Sequence, residues 1–129
     1  MQQARLAAVE DFPLFSWPAV GGEYIEPAAG RGWRMLVIYR GGHCCLCKRY
    51  LNTLNKMARD FEAEKIEIFA LSADPREKAL ADVEELGWTF PVGYGLAPQE
   101  MRRLGLFVSE PRSRAGTGRP FAEPGIFVI

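Results

Sequence analysis

Apolar residues fall along this chain in blocks whose spacing changes from one block to the next. In "FPLFSWPAVGGEYIEP", residues 12–27, apolar and aromatic side chains flank Gly21-Gly22, a pair suited to the positive φ angles of a tight turn. This predicts an N-terminal β-hairpin. Met35 to Tyr39, "MLVIY", is an unbroken apolar run of the kind found in a strand covered on both faces of a parallel sheet. From Cys47 the spacing becomes helical, with Cys47, Tyr50, Leu51, Leu54, Met57, Ala58 and Phe61 on one face, so one amphipathic helix is expected to begin at the cysteines.

A second strand follows in "IEIFALS". In the next segment Asp74 is placed to cap a helix, Pro75 to occupy its first position and Glu77 to close a capping box, predicting a helix over 75–86 that ends at Gly87. "WTFPV" predicts a short strand, and "APQEMRRLG" a short helix opened by Pro98 and stopped by Gly105. Residues 106–120 lose periodicity and read as one long loop rich in Gly, Pro, Ser and Arg. The apolar run "PGIFVI" then reaches Ile129 with no further strand to lie beside it, so the natural chain is expected to continue. Strands and helices in alternation imply parallel crossovers in an α/β layer fold, with the cysteines at the carboxyl edge of the sheet.

Composition narrows the function classes. The 129 residues suit one domain, 1–129, with a packed core. Sixteen basic and sixteen acidic side chains cancel, removing the global electrostatic case for nucleic acid or an anionic membrane as partner. Without a long apolar stretch or a secretory-type N-terminus, the chain reads as soluble and cytoplasmic.

All three cysteines lie in "YRGGHCCLCKRYL", at positions 44, 45 and 47. A CxxC motif in a reducing compartment usually carries redox or metal chemistry. A helix N-terminus stabilises thiolate, and between Glu26 and Asp60 every charged residue is basic, so Cys44 is expected to be the activated thiol. Residues i and i+3 in a first helical turn have Cα atoms roughly 5 Å apart, within disulfide range, whereas adjacent residues at ~3.8 Å are too close. Cys44 and Cys47 are therefore the candidate pair. Cys47 is expected on the buried face and Cys45 on the exposed one. His43 with the three thiols forms a Cys3His set, but structural zinc sites usually draw on two separated pairs and no second pair exists.

The segments "MLVIYRGGHCCLCKRYLNTLN", "IEIFALSADPREKA", "FPVGYGL" and "EPGIFVI" together resemble the thioredoxin-like superfamily. The branch resembled is the peroxiredoxin-like one of the alkyl hydroperoxide reductase and thiol-specific antioxidant family, from about residue 12 onward. The resemblance implies a thioredoxin-like fold with a central mixed sheet flanked by helices, whose closing strand and helix are missing from this chain. It also implies dithiol chemistry without a prosthetic cofactor, Cys44 as nucleophile, and a thioredoxin- or glutathione-type electron donor. Two departures stand out. The proline and hydroxyl residue that shape the family's peroxide pocket are replaced by Val37 and Gly41. The arginine before the last strand is replaced by Pro124, where thioredoxins carry a cis-proline.

These departures shift weight towards thiol-disulfide exchange, with Arg40, Arg112, Arg114 or Arg119 as substitute cations. The expected reading is a dithiol oxidoreductase acting on a hydroperoxide or a protein disulfide. Cys44 attacks, Cys47 resolves, and Gly41, Gly42 and Pro124 shape the groove, with His43, Cys45 and Arg40 as auxiliaries. The alternative is a non-catalytic module whose thiols bind metal or sense oxidation. An exposed sheet edge is also expected, with a second subunit as one way of covering it.

Overall fold

The computed structural model describes residues 11–110 and 119–129. The hairpin is β1 (Trp17–Pro18) against β2 (Tyr24–Ile25), antiparallel, with Gly22 at φ 97° in its turn. β3 (Trp33–Ile38) leads to α1 (Cys45–Lys56) and α2 (Ala58–Ala63). β4 (Ile66–Leu71), α3 (Arg76–Leu86), β5 (Val92–Gly93) and α4 (Pro98–Arg103) follow, then β6 (Val108–Ser109), β7 (Phe121–Ala122) and β8 (Gly125–Val128).

β3 and β4 occupy the middle of a four-stranded sheet ordered β5-β4-β3-β8, in which β3–β4 and β4–β5 are parallel and β8 runs antiparallel to β3. The apolar run in β3 serves both faces. Leu36 and Ile38 enter a cluster with Trp17, Ile25, Phe69, Leu71, Met101 and Leu104, while Val37 and Tyr39 enter another with Cys47, Leu51, Ile68, Ala79 and Trp88. The sheet therefore has α1 and α3 on one side, α4 and the hairpins on the other, the mixed α/β layering expected from the sequence.

Several boundaries differ from the expected ones. The long amphipathic helix breaks at Met57, whose N–H bonds back only three residues to Leu54, a tightened last turn that ends α1 before α2 begins. α3 starts one residue late, with Pro75 as its N-cap and no capping side chain, because the Asp74 carboxylate is bonded elsewhere. The 106–120 segment is not uniformly loop: Val108 and Ser109 pair with Ala122 and Phe121. The expected loop residues 111–118, including Arg112 and Arg114, lie outside the described residues, and Arg119 is exposed. The final apolar run does find a partner, since β8 pairs along β3 and Ile129 exchanges backbone bonds with Arg34 at 2.7 and 2.8 Å. Its outer edge has no strand partner among the described residues, and Ile126 and Val128 are exposed. No helix among the described residues is long and apolar enough to cross a membrane.

α1 is held on both its faces. Leu51 is fully buried beneath it, and Asn52 and Asn55 dock the turn after α3 through Trp88 Nε1–H, at 2.7 Å, and Thr89 N–H, at 2.8 Å. Leu51→Ala is expected to lower unfolding stability by about 3 kcal/mol, the usual cost of a leucine-sized cavity, as read by urea denaturation.

Candidate active site at the start of the first long helix

β3 ends at the carboxyl edge of the sheet, and the Tyr39–His43 segment turns there into α1. Cys44 is the N-cap of α1, with extended backbone at φ −105°, and its sulfur accepts a hydrogen bond from Cys47 N–H at 3.3 Å. Its carbonyl receives the first helical bond, from Lys48 N–H at 3.1 Å. The helix thus begins one residue after Cys44, leaving that thiol where unpaired helix N–H groups point.

The glycine turn before it is shaped by two carboxylates. Gly42 N–H donates to Asp74 Oδ2 at 2.7 Å. Gly41 has φ 130°, which favours glycine, and a Cβ there would lie 2.7 Å from Asp74 Oδ1. A Cβ on Gly42 would overlap Asp82 Oδ2. The two glycines therefore face these acids, and they are not among the residues that line the groove beside Cys47 and Pro124.

All three cysteines are free thiols, with Cys44 and Cys47 buried and Cys45 exposed, as the helical spacing predicts. Burial, followed by donation of its S–H to the Cys44 sulfur, pushes the Cys47 thiol up to about 11; the backbone N–H and charge of Arg40 act in the opposite direction.

His43 turns its ring onto Phe121, 4.7 Å between centroids, and both its ring nitrogens are buried without a hydrogen-bond partner. Burial holds the imidazole below its usual range, aided by the charges of Arg40 and Lys78 and opposed by Asp74 and Glu123, so it is neutral at neutral pH. Among the described residues no three His, Cys, Asp or Glu side chains are grouped to hold a metal ion, so the Cys3His set of the sequence does not assemble.

Arg40 also lies over the Phe121 ring, its guanidinium 4.8 Å from the ring centroid and its Nε 3.4 Å from Glu123 Oε1. Glu123 is fixed in turn by Ser109, whose hydroxyl donates to Oε2. The next peptide bond, to Pro124, is trans, which corrects the cis-proline expectation: trans is the lower-energy form and β8 continues directly from it. Pro124 nevertheless lines an apolar groove of about 480 Å³ with Leu46, Cys47, Tyr50, Val37 and Ile126. A cavity of about 520 Å³ at the start of β4 contains no thiol, so the smaller groove is the one relevant to the chemistry.

Sequence reasoning missed Asp82, Phe121, Glu123 and Ser109. Asp82 had a local signal, because it shares the buried side of α3 with Ala79. The other three have none, since only pairing of β6 with β7 brings them to Arg40 and His43.

Residues 9–129 match the AhpC/TSA family. The chain belongs to that family. Its fold is similar to a cysteine-to-serine mutant of peroxiredoxin 6 from Arenicola marina, at 20% identity and TM-score 0.80, over 96% of this chain and 60% of that one. It is also similar to peroxidoxin BcpB from Mycobacterium tuberculosis, at 18% identity and TM-score 0.73, over 89% and 73% of the two chains. A peroxiredoxin-like protein from Aquifex aeolicus shares 12% identity with TM-score 0.78, over 98% and 71%. This AhpC/TSA chain thus spans about three fifths of the Arenicola protein's length. No curated protein sequence matches it.

The three thiols of this AhpC/TSA chain are expected to separate by reactivity. At pH 7 iodoacetamide labels exposed Cys45 readily and Cys47 least, and Cys47 labelling rises steeply only as pH approaches 11, where the thiol loses its proton. Peptide mass spectrometry across pH checks this order.

Proposed function

We propose that this chain acts as a peroxiredoxin-like thiol peroxidase through a Cys44–Cys47 dithiol. The observation that carries the reading is the Cys44 sulfur at the N-cap of α1, accepting the backbone N–H of Cys47 at 3.3 Å. The attacking sulfur is thereby tied to the backbone of the resolving residue, one helical turn on.

Cys44 thiolate attacks the terminal oxygen of a hydroperoxide; the O–O bond breaks, leaving sulfenic acid on Cys44 and, after proton uptake, an alcohol. Cys47 sulfur then attacks that sulfenic sulfur, its proton leaving with the hydroxyl as water, and a Cys44–Cys47 disulfide forms. A thioredoxin- or glutathione-type thiol supplies the two electrons that restore the pair. Arg40, whose charge acts on both Cys47 and His43, is the cation that stabilises charge developing on the departing oxygen.

Disulfide exchange is the second reading, favoured by the apolar groove that opens beside Cys47 and Pro124. Stopped-flow oxidation of the reduced protein separates the two. The peroxidase is expected to react with hydroperoxide far faster than free cysteine does; a rate no faster leaves only disulfide exchange. Cys44→Ser abolishes reaction, Cys47→Ser stops at a dimedone-trappable sulfenic acid, and Arg40→Gln slows peroxide oxidation about 100-fold.

A further inference from the structure

We propose that Asp82 is a positioning residue for the dithiol: with Asp74 it clamps the Gly41–Gly42 turn, and through Lys48 it holds the first turn of α1. The inference rests on Cys44 and Cys47 being the reacting pair.

Two carboxylates converge on two consecutive glycines. Asp74 is 2% exposed and takes the Gly42 N–H, while Asp82, 6% exposed, sets Oδ2 in the space beside the Gly42 Cα that a side chain would otherwise fill. Asp82 Oδ1 lies 3.4 Å from Lys48 Nζ. Lys48 adjoins Cys47, and its own N–H closes the first helical bond onto Cys44. Asp82 therefore reaches the Cys44 backbone by two routes, one through Gly42 and one through Lys48.

Asp82 Oδ2 is buried and has no hydrogen-bond partner. Burial raises its carboxyl above the usual range; Lys48 on α1 pulls it down, and Asp74 and Glu85 push it further up. The Tyr39 hydroxyl, buried at the end of β3, faces the same two carboxylates and is itself held above its usual range, chiefly by burial. An acid raised in the folded state binds its proton more tightly there than when unfolded, so its contribution to stability falls as pH rises above the ordinary aspartate range. A side chain chosen for packing alone would not carry that penalty.

Asp82 retains Lys48 at the first turn of α1 and so keeps Cys44 and Cys47 in register. The test follows Cys44–Cys47 closure at pH 7 with two oxidants, using intact-mass detection. One is a hydroperoxide. The other is diamide, whose N=N bond takes up two electrons and two protons from the thiols and so requires no peroxidase activity.

Asp82→Asn, which removes the charge that holds Lys48, is expected to close about tenfold more slowly than wild type with diamide, Lys48→Met to slow closure by a similar factor, and Asp82→Glu to restore most of the rate. An unchanged rate in Asp82→Asn or in Lys48→Met, no recovery in Asp82→Glu, or no closure with either oxidant overturns the proposal. Asp82-dependent closure by diamide without reaction with peroxide upholds it and removes only the peroxidase reading.

Discussion

The hydrogen bond from Gly42 N–H to Asp74 Oδ2 joins the loops that follow two neighbouring parallel strands, β3 and β4. Parallel strands bring both loops to the same sheet edge, so the bond needs no distortion of either. A half-buried charge-assisted bond of this kind contributes about 1.5 kcal/mol, enough to favour one conformation of a glycine turn that would otherwise have many. With the turn selected, Cys44 falls at the N-cap, α1 begins at Cys45, and Cys47 lies one helical turn inward against Cys44. The same bond occupies Asp74 and so leaves α3 to start without its carboxylate cap.

Elements whose cause is local were legible in the sequence. β3 and β4 follow from apolar runs long enough to be covered twice, and α1 and α4 from their spacing and, for α4, from Pro98. The inward Cys47 and outward Cys45 follow from helical rotation alone. What was misread depended on partners distant in sequence. Asp74-Pro75-Arg76-Glu77 reads as a capping box, yet the Asp74 partner is Gly42, 32 residues earlier. Val108 and Ser109 look like loop residues until Ala122 and Phe121 pair with them across 111–118. The break at Met57 has no glycine or proline to announce it, and is visible only as a backbone bond that shortens by one residue.

The family resemblance implies an arginine immediately before the last strand, where this chain has Pro124. Here a positive charge reaches the thiols from the opposite strand of the β3–β8 pair: Arg40 follows β3, and Glu123, next to Pro124, anchors it. Because β3 and β8 are antiparallel, the end of one lies beside the start of the other, so either can bring a side chain to the same place. The exchange changes what holds the cation. Arg40 depends on Phe121 for a ring face and on Glu123 for a carboxylate, and Glu123 depends on Ser109 across the β6–β7 pair. The thiols lie beside a glycine turn bonded to Asp74, whereas Arg40, the cation of the proposed mechanism, depends on a two-residue ladder. These halves of the site therefore have different stabilities, and loss of the β6–β7 pairing would remove the charge while leaving the dithiol geometry intact.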